Sequence, residues 1–353
     1  MTEQSPLTKK YTHAPFSILD TRQGEWQRRR REWLSLGIKS EIGRDAVSFT
    51  NQRDLNKIMG RPTEEEHAEK ERKALGAYAA YQGAVLDRAG GGITGTSVFD
   101  PVLCELMYSW FSASGGAVLD PFAGGSVRGI VAGILGRIYT GIDLSGKQVD
   151  ANRIQASEIQ SRYYPEMALP VWACGDSLQL NEYLPADYRA DFIFSCPPYL
   201  NLEQYSDNPK DLSTMDDAGF YLTYYEIIAK AIKRLKNDRF ACFVISEVRS
   251  KNGVGEFRKL LNNTVYAFED AGAKFYNEAI LVNSCGTLPV RIAKQFEGAR
   301  KLGRHHQNIY IFIKGDPKKA AEACGKVSIP NQTQQSLDFG GDDNLNNDEE
   351  MGV

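Results

Sequence analysis

Residues 117–143 read AVLDPFAGGSVRGIVAGILGRIYTGID. An apolar run stops at Asp120, Gly124-Gly125 turns the chain, a helical stretch begins near Ser126, and a second apolar run stops at Asp143. The same alternation continues downstream: a helix from about Lys147, then LPVWACGD, ADFIFSCPPY, a helix over Tyr221 to Lys236, RFACFVISEV, a helix over Gly255 to Asp270, KFYNEAILV and NIYIFIKGD. Apolar β-rich runs alternating with helices predict an α/β fold built on a doubly wound, mainly parallel sheet. Ligands of such sheets bind beyond the carboxyl ends of the strands, so the residues after each apolar run are the ones that bear on function.

Outward from this core, the sequence divides into three parts. Residues 1–92 predict a small helical accessory region. Within it, Thr21 to Ile38 places Trp26, Trp33, Leu34 and Ile38 at helical spacing beside the basic block Arg28–Arg31, which reads either as a docked surface helix or as a phosphate contact. Residues 52–88 are rich in charge and alanine and predict a helix capped by Thr63 and ending near Gly90-Gly91-Gly92. Residues 93–318 form the main domain. The stretch 325–353 is polar and acidic, with too few apolar residues to fold alone, and is expected to be disordered.

Composition narrows the class. The chain has 353 residues, 42% hydrophobic and 25% charged, which is ordinary for a globular protein. No apolar run reaches the roughly 20 residues that span a bilayer, and the N-terminus lacks a signal-peptide core, so an intracellular, cytoplasmic protein with no membrane partner is expected. The six cysteines contain no C-x-x-C pair, so neither a metal site nor a disulfide framework is indicated. The formal charge is −3, but the last 33 residues hold seven acids and one base, leaving a mildly basic body compatible with a polyanion.

The strand ends carry the chemistry. Asp120-Pro121-Phe122-Ala123-Gly124-Gly125 opens a helix through a glycine turn, where a ligand can approach the backbone and free N–H groups. The pattern is not G-x-G-x-x-G, which disfavours a nicotinamide cofactor. Asp143 ends the next strand, where a carboxylate can accept from a ribose diol, and Asp176 follows the third run, where it can accept from an adenine amine. A fourth run enters Cys196-Pro197-Pro198-Tyr199. The prolines lack N–H groups and stiffen the turn, while Tyr199 offers a flat face, a combination suited to a planar base bearing an amine.

With these motifs the chain resembles the amino-group DNA methyltransferases, which make N4-methylcytosine or N6-methyladenine, and particularly the modification methylases of phages and prophages. Asp120 to Gly125 matches the cofactor motif of that family, and Cys196-Pro197-Pro198-Tyr199 stands at its (Asp/Asn/Ser)-Pro-Pro-Tyr catalytic position. Gly95 to Pro101 resembles the segment that precedes the family's first helix and touches the methionine part of the cofactor, which implicates Thr96, Ser97 and Asp100. The match spans roughly residues 93–315. It implies the class I S-adenosylmethionine-dependent methyltransferase fold, S-adenosyl-L-methionine as cofactor, double-stranded DNA as partner, and a role of the restriction-modification kind, in host cytoplasm if the gene is phage-borne. The implied cofactor residues are Thr96, Ser97, Asp100, Asp120, Pro121, Phe122, Gly124, Gly125, Asp143 and Asp176, and the implied catalytic residues are Cys196, Pro197, Pro198 and Tyr199, with no metal.

The target base must leave the duplex, with Tyr199 as its stacking partner and Asn201, Glu203 and Tyr205 as further pocket residues. DNA contacts are expected from loops at about 200–220 and 249–306, which hold Arg249, Lys251, Arg258, Lys259, Arg291, Lys294, Arg300, Lys301, Arg304, His305 and His306. Where the family has a carboxylate, amide or hydroxyl, this chain has a thiol, a weak acceptor. That leaves three other readings open: a pyrimidine C5 enzyme with Cys196 as nucleophile, an RNA or protein N-methyltransferase, and a catalytically inactive DNA-binding relative. Oligomeric state is not legible.

Overall fold

Along strand β5 (Ala190–Ser195), Phe192 and Phe194 enter one buried apolar layer while Ile193 enters another. Strands β2 (Ala117–Asp120) and β6 (Leu235–Ile245) divide their side chains in the same way, Val118 against Leu119 and Phe240, Cys242 and Val244 against Ala241, Phe243 and Ile245. Successive side chains of a strand point to opposite faces, so strands this apolar need cover on both sides. The computed structural model describes residues 6–39, 98–250, 253–286 and 288–327.

Within these residues the doubly wound, mainly parallel sheet expected from the sequence is present. With β1 (Ile18–Asp20), β3 (Ile138–Asp143), β4 (Val171–Cys174), β7 (Lys274–Val282) and β8 (His306–Lys314), its order is β1-β7-β8-β6-β5-β2-β3-β4. Every pairing is parallel except those of β8, which runs antiparallel to both neighbours. After α1 (Pro6–Tyr11), one face carries α2 (Gly24–Ser35), α3 (Pro101–Phe111), α4 (Val127–Ile134), α5 (Gly146–Tyr163) and, later in the chain, Pro317–Cys324. The other carries α6 (Leu180–Tyr183), α7 (Asp217–Arg234) and α8 (Leu260–Asp270). The chain moves outward from β2 through β3 to β4, then returns to β5 on the other side of β2 and moves outward to β6. The carboxyl ends of β2 and β5 therefore diverge at a switch point, where a crevice opens.

The described part of the N-terminal region packs directly onto the main sheet and its helices. Strand β1 pairs with β7 and closes the sheet's edge. Helix α2 docks on α3 through buried Trp26 and Trp33, and the Arg29 guanidinium pairs with Glu105 in the same interface, where Trp33 Nε1 donates to Glu105 at 2.9 Å. The basic block is thus largely engaged: Arg28 pairs with Glu25 and Glu32 along the helix, and Arg30 lies 3.7 Å from Asp100. The predicted helix over 52–88 and the acidic stretch 328–353 lie outside the described residues. Among the described residues no helix is long and apolar enough to cross a membrane.

At the opposite end of the sheet, Asp191 ties three strands together. It accepts from Ala117 N at 3.1 Å and from Lys236 Nζ and Arg239 Nε on β6. Burial works to raise its pKa, but these donors outweigh it and leave the carboxyl below its ordinary value. A carboxyl lowered by folding stabilises above its unfolded pKa and ceases to do so as pH falls through the folded one. Asp191→Asn is therefore expected to lower the urea midpoint at neutral pH, with the gap from the parent closing in strong acid.

Candidate active site

The crevice at the switch point is a cleft of about 930 Å³. Its floor is the turn after β2. Phe122 N donates to Asp120 Oδ1 and to Ser195 Oγ, Ala123 N to Ile142 O, and Gly124 N to Asp143 Oδ2 at 2.8 Å. On the acceptor side, Arg128 Nη2 donates to Phe122 O and Ala123 O, Asn152 Nδ2 to Gly124 O, and Ser177 Oγ to Pro121 O. Gly124 has φ +52°, in the left-handed region that favours glycine. The turn is therefore held by its own surroundings and presents a fixed backbone surface, with Pro121, Phe122, Gly124 and Gly125 lining the cleft.

Asp143 and Asp176 line the same cleft from the ends of β3 and β4. Asp143 also accepts from Ser145 N at 2.8 Å, and Asp176 caps the short turn that begins at Ser177 by accepting from Leu178 N at 2.9 Å. Between these acids, Gly175 N donates to Asp143 O, and a Cβ on Gly175 would lie 2.1 Å from the Tyr183 ring, so only glycine fits. On the far wall, Asp100 caps α3 by accepting from Val102 N and Leu103 N, while Trp26 Nε1 donates to it at 3.1 Å. Burial raises the Asp100 pKa, and the Trp26 hydrogen bond and nearby Arg30 pull against it. Thr96 and Ser97 lie outside the described residues.

Asp120 does not line the cleft, which corrects its placement among the ligand-facing residues. It is fully buried behind the wall, where Arg128 Nε donates to it at 2.6 Å, Tyr139 OH at 2.8 Å and Ser195 Oγ at 2.5 Å. Burial opposes the charge of Arg128, and the Asp120 carboxylate more than offsets this, leaving the guanidinium pKa raised. Asp120 therefore acts through Arg128, whose remaining N–H groups hold the floor of the cleft.

Cys196, Pro197, Pro198 and Tyr199 form the rim above β5 and face into the cleft. The Tyr199 hydroxyl accepts from Gln307 Nε2 at 2.7 Å and sits 3.5 Å from both Val244 O and Cys196 Sγ. Burial pushes the Cys196 thiol up, despite the opposing effect of Arg128, and also pushes the Tyr199 phenol well up. Both groups are therefore neutral near neutral pH. The turn closes with Leu202 N donating to Tyr199 O across Leu200, which takes φ +57° although it is not glycine. That conformation costs a non-glycine residue on the order of 1–2 kcal/mol, and the burial of the Leu200 side chain in the apolar layer beneath the rim holds it there.

Glu203 and Tyr205 line the cleft, whereas Asn201 is bonded by Arg258. Among the remaining lining residues, Thr21, Gln27 and Gln307 carry no sequence signal, whereas Arg30 belongs to the basic block and Asn283 and Ser284 to the expected 249–306 loops. Thr21, Gln27 and Arg30 come from β1's end and α2, while Asn283, Ser284 and Gln307 come from the ends of β7 and β8. Of the cations expected to meet a polyanion, Arg258 is held by Asp217, Arg304 by Ser246 and Asn308, and Arg249 lies over the Phe257 ring at 4.1 Å. Lys251 lies outside the described residues, as does the side chain of Arg291.

No protein-family model matches the sequence, and no curated relative does either. Solved structures similar to the chain include TrmN from Thermus thermophilus (16% identity, 61% of this chain and 49% of TrmN, TM-score 0.39). Others are a TehB-like SAM-dependent methyltransferase from Corynebacterium glutamicum (16% identity, 69% and 99% of the two chains, TM-score 0.36) and magnesium protoporphyrin IX methyltransferase from Synechocystis with bound SAM (12% identity, 76% and 92%, TM-score 0.36). The match takes in about half the length of TrmN.

Proposed function

We propose that this chain is an S-adenosyl-L-methionine-dependent DNA methyltransferase that modifies the exocyclic amine of a flipped-out base, N4 of cytosine or N6 of adenine. One observation carries this reading: a single cleft joins the glycine turn Gly124-Gly125, the strand-end acids Asp143 and Asp176, and the Cys196-Pro197-Pro198-Tyr199 rim. The donor set fits the cofactor. A carboxylate accepts more than one hydrogen bond per oxygen, so Asp143, already bonded to two backbone N–H groups, retains capacity for a ribose diol. Asp176 would accept from the adenine amine, and Pro121 to Gly125 would lie against the cofactor's body. When bound, the cofactor supplies an electrophilic methyl group on a sulfonium.

The rim residues supply the rest. An aromatic amine is a poor nucleophile because its lone pair is delocalised into the ring, and acceptors for its hydrogens favour the tetrahedral nitrogen that can attack. The Pro197 carbonyl and the Cys196 sulfur would fill this role, with Tyr199 as the stacking face whose tilt is fixed through Gln307. The raised thiol pKa counts against the pyrimidine C5 reading, which needs a thiolate. Incubation with labelled S-adenosylmethionine and unmethylated duplex, followed by nucleoside mass spectrometry, tests the proposal. N4-methylcytosine or N6-methyladenine is expected; a 5-substituted pyrimidine, or product only on RNA or protein, would overturn it.

Cys196 gives a sharper prediction. Cys196→Ser is expected to retain methyl transfer, and Cys196→Asn to raise kcat roughly fivefold, because a full-strength acceptor replaces a weak one at a gain of about 1 kcal/mol. Abolished activity in the serine variant, with cofactor binding intact, would instead make the thiol a nucleophile.

A further inference from the structure

The connection between β7 and β8 begins and ends on the cleft, since Asn283, Ser284 and Gln307 line it. Strands β7 and β8 are adjacent and antiparallel, so a tight turn would join them. Instead the chain forms a further helix, Leu288–Ala299, and none of its residues with described side chains is buried. A 12-residue helix is marginal in water without a packed face. Leu288 lies against the backbone of Gly303, and Phe296 remains 42% exposed with the Arg300 guanidinium over its ring at 5.1 Å.

The backbone beside this helix is strained where cations stand. Arg300 ends the helix with φ +50°, and Lys259 on the neighbouring rim, just before α8, has φ +63°. Both side chains are exposed. Glycine is the residue that occupies such positions without cost, and here each carries a cationic side chain instead. Lys301 reaches Gly255 of the Lys259 rim, so the two loops touch.

Resting on the function proposed above, we infer that the helix Leu288–Ala299 and the flanking cations Lys259 and Arg300 form the surface that holds double-stranded DNA against the cleft. The helix is about 18 Å long, and the DNA major groove, about 12 Å wide, admits one. Lys259 and Arg300 flank it as phosphate contacts, and the connection's two ends deliver the target base to the Tyr199 rim.

The test is Lys259→Gly/Arg300→Gly in the full chain. Glycine relieves the left-handed strain, so the variant is expected to melt no lower than the parent and to bind S-adenosylmethionine unchanged. Its affinity for a fluorescent 20-base-pair duplex should fall roughly tenfold, and the slope of log Kd against log salt should drop by about 2, one for each lost phosphate contact. Unchanged affinity and slope, in a parent that methylates duplex DNA, would overturn the inference and leave the function standing. Loss of cofactor binding in the variant would also overturn it, because the lesion would not be confined to the DNA surface. A parent that transfers no methyl group to duplex DNA would remove the function, and this inference with it.

Discussion

Asp120→Asn is expected to lower the free energy of unfolding by about 3–5 kcal/mol, the cost of leaving a buried charge without its partner. The partner is Arg128, whose side chain is 5% exposed, while the Asp120 carboxylate is wholly enclosed. An amide can still bond Tyr139 and Ser195 but cannot neutralise a guanidinium. Adding Arg128→Met removes the orphaned charge, so the double variant is expected to regain most of the lost stability, as read from urea unfolding. It should not regain cofactor affinity, because Arg128 is also the donor to the Phe122 and Ala123 carbonyls that set the cleft floor. Stability and binding recovering together would show that the turn holds its shape without Arg128.

The same pair marks where the sequence stops being legible. The alternation of apolar runs and helices predicts the sheet even where a strand has only four residues, because each run ends in a turn marked by glycine, proline or an acid. Asp120, Asp143 and Asp176 look alike in that pattern, yet the first faces its own arginine and the other two face the cleft. Arg128, eight residues on, was the available signal, but its meaning depends on how α4 folds back over the turn. Strand β1 is three residues long and takes its identity from pairing with β7, so no local periodicity announces it. Gln27 and Gln307 reach the cleft through tertiary placement alone. The helix after β7 was readable in principle, since Leu288, Ile292 and Phe296 recur every four residues, but the surrounding glycines and cations read as loop.

Asp143→Ala is expected to weaken S-adenosylmethionine binding by roughly 10²–10⁴-fold, since two hydrogen bonds to a charged acceptor are worth about 1.5–3 kcal/mol each. The carboxylate has a second task, because it holds Gly124 N and Ser145 N and so couples the β2 turn to the start of α5. Asp143→Asn separates the two tasks. An amide has a single acceptor oxygen, so one of the two backbone N–H groups loses its partner, and the turn relaxes even where a neutral acceptor still meets the ribose. Calorimetric titration should therefore rank the parent above asparagine and asparagine above alanine, with the alanine variant still folding cooperatively because the sheet's apolar layers do not involve this side chain. Equal cofactor affinity in all three would reduce Asp143 to a turn-forming acid and shift the cofactor's polar anchoring onto Asp176 and Asp100, two further carboxylates on the cleft wall.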